Sequence, residues 1–255
     1  MPNISNNSVK QEIFSTLQCF SKVKYSESLS EKLRKLGIAS VQSVLTHLPL
    51  RYEDLSRVIL LRDAKPNTPA QFDFVIRKIS TFGFGKKRRI LLSVADDSAN
   101  AVVRFFNLYP SQINVLTPGT SIRVYGEVKF NRSKYEFLHP RWSLLEKAPT
   151  LSDSLSPIYP LTSGLKQKTF QFLVNNLLKL LYDDFLPNEY ISKLSLLPLK
   201  ESFRLLHQPA IDANPDEILH INYPPRKRLA FDEIVALQIL LKQYRKKTAQ
   251  KRHCQ

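Results

Sequence analysis

Cysteine and glycine are both scarce in this sequence. Of 255 residues only two are cysteine, Cys19 and Cys254, far apart and close to the two ends. That excludes a disulfide framework and any CxxC-type zinc site, and it suits a reducing compartment. There are six glycines, Gly37, Gly83, Gly85, Gly119, Gly126 and Gly164, and none opens a Gly-Lys-Ser/Thr triplet. The phosphate-cradling pattern GxxxxGK[S/T] is therefore absent. No apolar run approaches the roughly 20 residues that span a bilayer. The polar, asparagine-rich start lacks the apolar core of a secretory signal. The expectation is a soluble, cytoplasmic protein without a membrane partner.

Negative charge is also in short supply: 22 Asp and Glu stand against 38 Lys and Arg, a formal net charge of +16. Such a field favours polyanions, nucleic acid before anionic membrane; the alternative is a basic but inert surface. The excess is localised. Residues 71–142 carry 12 cations against 5 carboxylates, and residues 221–255 carry 9 against 2. Hydrophobic residues, at 43%, suffice to build the core of one large domain or of two to three small ones. The five histidines (His47, His139, His207, His220, His253) show no metal-ligand spacing, and no GxSxG occurs. Metal ligands and catalytic residues are therefore not expected. The carboxylate pairs Asp96–Asp97 and Asp183–Asp184 fall at turn or helix-end positions, where such residues serve local structure.

Residues 11–48 read as helices. Leu29, Leu33 and Leu36 recur at helical spacing, and Gly37 can end that helix in a left-handed conformation. "LGIASVQSVLTHLPLRYED" then puts Val41, Val44, Leu45 and Leu48 on one face of a second helix, stopped by Pro49. This is either half of a helix-hairpin-helix or simple helical packing. His47 reads as a capping or packing residue. From about residue 56 the period changes to 2. "QFDFVIRKIS", "RRILLSVADD", "NAVVRFF", "SIRVYGEVKF" and "KYEFLHPRW" read as five strands, with a helical insert at 111–116 after the third. That is the order of a five-stranded OB-type barrel, and Gly126 suits a bulge or bend in it. Residues 147–164, rich in Ser, Pro and Leu, read as a linker. "GLKQKTFQFLVNNLLKLLYDDF" reads as an amphipathic helix with Phe172, Leu173, Leu177, Leu180 and Leu181 in one stripe. Two short proline-led helices follow. A terminal helix is expected to bury Phe231, Ile234, Val235, Leu237 and Leu241 and to turn Asp232 and Glu233 to solvent. The fold class is α+β and multidomain, with boundaries at 1–60 (helical), 61–146 (barrel), 147–227 (helical linker) and 228–255 (last helix).

One stretch stands out. "AVVRFFNLYP" sets Phe105, Phe106 and Tyr109 beside Arg104 at the mouth of a strand, close to the cationic run Lys86, Lys87, Arg88, Arg89. The rings are either the close of a core or platforms for something flat; the cations are either phosphate contacts or a solvated turn.

Taken in order, "LGIASVQSVLTHLPLRYED", "VRFFNLYP", "VYGEVKF…YEFLHPRW", "SPIYPLTSGLKQKTFQFLV", "LLPLKESFRLLHQP" and "RKRLAFDEIVALQILL" resemble the N-terminal part of the bacterial RecG helicases, over roughly residues 25 to 247. The resemblance implies an OB-fold wedge that splits the arms of a replication fork or Holliday junction in DNA recombination and repair. It implies Phe106 as the leading base-stacking ring and Tyr109 as the second. Phe105 stays open between core and DNA, and Arg104 with Lys86, Lys87, Arg88 and Arg89 would take phosphates. ATP and Mg2+ would belong to a motor that the last helix leads into. That motor is not expected within this chain, since "DEILH" (Asp216–His220) is one residue too long for a DExH box and no P-loop precedes it. The chain alone, expected to be a monomer without cofactors, is expected not to hydrolyse ATP. The alternatives are an OB-fold protein-interaction adaptor or an enzyme with an unrecognised site.

Overall fold

The computed structural model describes residues 27–83, 89–106, 108–131, 134–180, 184 and 186–253. In chain order the elements begin with α1 (Glu27–Lys35), α2 (Val41–Leu45) and β1 (Arg51–Glu53). Next come β2 (Pro69–Phe82), β3 (Arg89–Ala95), β4 (Asn100–Phe106) and α3 (Pro110–Ile113). Strands β5 (Ser121–Glu127), β6 (Lys129–Asn131), β7 (Lys134–Leu138), β8 (Arg141–Leu144) and β9 (Ser156–Ile158) follow. The chain ends in α4 (Gln167–Lys179), α5 (Asn188–Lys193), α6 (Leu199–His207), α7 (Pro215–Leu219) and α8 (Pro224–His253).

These elements form two compact units, one from the chain up to Tyr52 together with Pro157–Gln255, the other from Glu53–Ser156. The four consecutive segments expected from sequence are thus grouped differently. The N-terminal helices share a core with the helices after residue 157, and the strands stand as an insertion between them.

In the helical unit α1 ends as its glycine dictates. Gly37 has φ +75°; its N–H donates to the Arg34 carbonyl at 2.9 Å, and the Ile38 N–H donates to Leu33 at 3.0 Å. This pair of bonds satisfies carbonyls that the helix end would otherwise leave open. Helix α2 is capped by Ser40, whose hydroxyl accepts the Ser43 N–H, and it stops at Leu45, short of the expected Leu48. Thr46 turns both its N–H (2.9 Å) and its hydroxyl (3.0 Å) back to the Gln42 carbonyl, which closes the helix early. Leu29, Leu33, Ile38, Val44 and Leu45 pack with Phe170, Leu173, Val174, Leu177, Leu178 and Phe203 in one core. The α1–α2 hairpin is therefore core packing. Of the stripe expected for α4, Leu173 and Leu177 are buried, but Phe172 and Leu180 are exposed, and Phe170, Val174 and Leu178 complete the buried face. Leu181 lies outside the described residues.

Two polar devices sit in this unit. Arg228, 0% exposed, donates to both carboxylate oxygens of Asp184 at 2.6 and 2.7 Å, to Asp232 at 3.0 Å and to the Leu197 carbonyl at 2.8 Å. Burial pushes the Asp184 carboxyl up, but bonds from Arg228 and from the Leu199 and Leu186 N–H groups outweigh it and hold the carboxyl below its ordinary value. Asp232 is thus a partner of a buried cation rather than a solvent-facing residue. The other device is His207. Its Nε2 lies 2.8 Å from the Leu45 carbonyl, which can only accept, so Nε2 carries the proton and Nδ1 accepts the Tyr159 hydroxyl at 2.9 Å. His47 makes a similar packing contact, Nε2 to the Pro160 carbonyl at 2.8 Å.

The terminal helix departs furthest from expectation. Ile234, Leu237 and Leu241, expected to be buried, are exposed, as are Ile239, Leu240 and Tyr244. Helix α8 packs on α6, Leu229 joins the core, and Phe231 and Val235, also expected to be buried, are half-buried.

In the inserted unit the five expected strand segments are present. Two of them are broken, "SIRVYGEVKF" at Val128 and "KYEFLHPRW" at His139–Pro140, which makes seven strands in the order β6-β7-β4-β3-β2-β5-β8. All pairings are antiparallel except β4 with β7. Strand β6 is one edge and β5 lies next to the other, yet the single residue Val128 joins them in the chain. The sheet must therefore curl round on itself. Phe72, Phe74, Ile76, Ile90, Leu92, Val94, Val103, Phe105 and Phe137 fill its inside. Gly126 permits the curl: a Cβ there would stand 3.0 Å from Pro140 Cβ. Asp96 ties the β3–β4 turn, accepting from the Ser98 and Ala99 N–H groups at 2.7 and 2.9 Å and from Leu61 at 2.6 Å.

Candidate nucleic-acid interface

Strand β4 alternates without a break, as a half-buried strand must. Ala101, Val103 and Phe105 face the core; Val102, Arg104 and Phe106 face out. Of the two roles left open for Phe105, the structure shows the core one. Its ring is 1% exposed and lies 6.0 Å from both His139 and Trp142, so it has no face to offer a ligand.

Phe106 is 38% exposed at the end of the strand. Its N–H donates to His139 Nδ1 at 3.3 Å, and its ring stacks on that imidazole with centroids 6.2 Å apart and planes 25° off parallel. The Arg89 guanidinium stands 5.9 Å from the ring centroid. His139 is itself held in place: with φ +46° it turns the β7–β8 corner, and its N–H donates to the Arg104 carbonyl at 2.7 Å. Tyr109, 73% exposed, stands just before α3, its N–H bonded to the Gln112 side-chain oxygen at 3.0 Å.

The cations divide. Arg104 pairs with Glu136 of the neighbouring strand, so its charge is engaged within the sheet although half its side chain is exposed. Arg89 opens β3 on the same outer face and has no carboxylate partner among the described residues. Lys86, Lys87 and Arg88 lie outside the described residues.

Two residues were missed by sequence reasoning, His139 and Phe82. Phe82 is 58% exposed and pairs across the strands with Arg89, which pairs with Phe106. The three form a row over β2, β3 and β4. Between Phe82, Arg89, Leu91, Arg104 and Phe106 lies a cleft of 370 Å³. Chemically this face offers flat apolar rings beside fixed cations, which is what an unpaired base and its phosphate require. Among the described residues no three His, Cys, Asp or Glu side chains are grouped to hold a metal ion, and no helix is long and apolar enough to cross a membrane.

The comparisons with known proteins agree with one another. The RecG wedge domain family matches residues 22–181. The ATP-dependent DNA helicase RecG of Pasteurella multocida is 32% identical over 229 residues, which cover 88% of this chain and 33% of the relative. The RecG of Escherichia coli K12 is 31% identical over 215 residues, covering 82% and 31%. The chain thus spans about a third of the length of the relatives it matches. Among solved structures, a RecG bound to a three-way DNA junction superposes with a TM-score of 0.60 at 25% identity, covering 88% of this chain and 30% of that one. With most of its length matched by the family, this chain belongs to the RecG wedge-domain family.

Proposed function

We propose that this chain is the branched-DNA-binding portion of a RecG-type helicase, acting in the cytoplasm on replication forks and Holliday junctions during recombination and repair. The observation that carries it is the outward, partly exposed ring of Phe106, with the Arg89 guanidinium and the His139 imidazole near it, on a barrel whose fold matches a junction-bound RecG. Separating two strands strips bases of their stacking partners. A rigid exposed ring replaces one at about 1–3 kcal/mol per base and tolerates any sequence. Phe106 is the first such ring and Tyr109 the second. Arg89, with Lys86, Lys87 and Arg88, takes phosphates; Arg104, engaged by Glu136, mainly holds β4 to β7. ATP and Mg2+ chemistry is assigned to parts of such helicases that this chain does not span.

The test is binding of the monomeric chain to a three-way junction and to a blunt duplex of equal length across a salt series. Junction preference with a steep fall in affinity as salt rises is expected, because each phosphate neutralised releases condensed counterions. Equal affinity for the two at moderate salt would leave only a basic surface.

A further inference from the structure

Phe82 faces outward because of an irregularity. Along the first half of β2 the even positions Phe72, Phe74 and Ile76 point into the barrel. A strict alternation would send Phe82 inside with them. The register shifts between Ile76 and Lys78, so that Ile79 pairs with the buried Leu92 and Thr81 with the buried Ile90. Phe82 is thereby delivered to the outer face, opposite Arg89. The bulge changes which face the last aromatic of β2 serves.

We propose that Phe82, Arg89 and Phe106 bind one dinucleotide step of an unpaired strand, each ring under one base and the guanidinium on the phosphate between them. The proposal rests on the junction-binding function above and adds to it a further platform, Phe82, beside Phe106 and Tyr109, and a direction. Neighbouring strands lie about 4.8 Å apart, so two rings on β2 and β4 stand about 10 Å apart, too far to share one base and suited to two successive unstacked ones. The residue midway is a cation already over one of the rings. All three lie on one row, so the bound strand crosses β2, β3 and β4 roughly at right angles to them. The apolar floor of the cleft and the absence of a described carboxylate partner on Arg89 favour a flat ligand with one negative charge at its middle.

An abasic scan tests this. Single abasic sites are placed at successive positions of the unpaired strand of a fork, and affinity is measured for the full chain and for Phe82→Ala, Phe82→Trp, Phe106→Ala and Arg89→Gln. Two adjacent sensitive positions are expected, each weakening binding about tenfold. Phe82→Ala should abolish sensitivity at one of them and Phe106→Ala at its neighbour, with Phe82→Trp retaining both. Arg89→Gln should lower the salt slope by about one. Phe82→Ala binding like the parent while Phe106→Ala is weakened would overturn the step and leave junction binding standing. If neither ring matters, both readings fail together. Should Phe82→Ala not fold, Phe82→Leu takes its place: loss of one of the two adjacent sensitive positions supports the proposal, and a scan identical to the parent's overturns it.

Discussion

Phe105 and Phe106 are consecutive in the chain and occupy opposite faces of β4, the first closed into the barrel core and the second open beside Arg89. Their alanine variants should therefore fail in different assays. Phe105→Ala is expected to lose about 3–5 kcal/mol of folding stability by leaving a cavity. Phe106→Ala and Tyr109→Ala should keep the parent melting temperature and lose roughly 1–3 kcal/mol of fork affinity each. Melting curves and fork titrations on the three variants check this. A destabilised Phe106→Ala would contradict the assignment of faces.

The Tyr159–His207–Leu45 chain makes stability depend on pH. Burial pushes the His207 imidazole down to about 4 from an ordinary 6.5. Above pH 6.5 the ring is neutral in folded and unfolded chains alike. As pH falls from 6.5 to 4 only the unfolded chain takes up the proton, so the folded state loses stability, by about 3 kcal/mol in total. Below pH 4 this contribution levels off. Denaturant titrations of the parent and of His207→Gln across that window should show the slope in the first and its loss in the second.

Arg228 is expected to tolerate no shortening. Arg228→Met leaves Asp184 and Asp232 facing each other without the cation between them, and should cost about 3–5 kcal/mol. Chemical denaturation of the variant measures it. A loss within experimental error would show that water reaches the two carboxylates.

Gly126→Val probes the curl of the sheet. With the Pro140 ring 3.0 Å from where a Cβ would stand, the variant should lose about 1–3 kcal/mol through displacement of the β7–β8 corner. Because His139 belongs to that corner and stacks on Phe106, fork affinity should fall as well. Melting and fork binding measured on the same preparation test both parts.

Much of this was legible in the residues. Period-2 alternation located all five strand segments, and Gly37 marked a helix end that the structure contains; Gly126, read as a bulge or bend, stands in regular register with Ala70 and is instead a close approach to Pro140. Alternation also required Phe105 and Phe106 to part ways, but not which one goes inside; that depends on the register with β3 and β7, which is long-range. Phe82 was illegible for a sharper reason. One extra residue near Arg77 reverses the phase of β2, and nothing in "IRKISTF" announces it. The stripes of α4 and α8 were misjudged because helical periodicity names a face without saying whether anything covers it. His139 carries no motif at all; it matters through where the β7–β8 corner puts it.

The insertion of the barrel into the helical unit bears on how the chain is made. Helices α1 and α2 leave the ribosome before the barrel, and the partners that bury them, Phe170, Leu173, Val174 and Leu177, are synthesised only after the whole barrel. The barrel is contiguous in sequence and can fold while the rest is still being translated; the helical unit, dominated by distant pairings, has to wait. Leu50 bonds to Ile158 at 2.9 Å, so the two points where the chain leaves and re-enters the helical unit are fastened together once it forms. A nascent chain arrested before residue 170 should thus display a finished barrel carrying an unsatisfied apolar hairpin, a natural client for a chaperone.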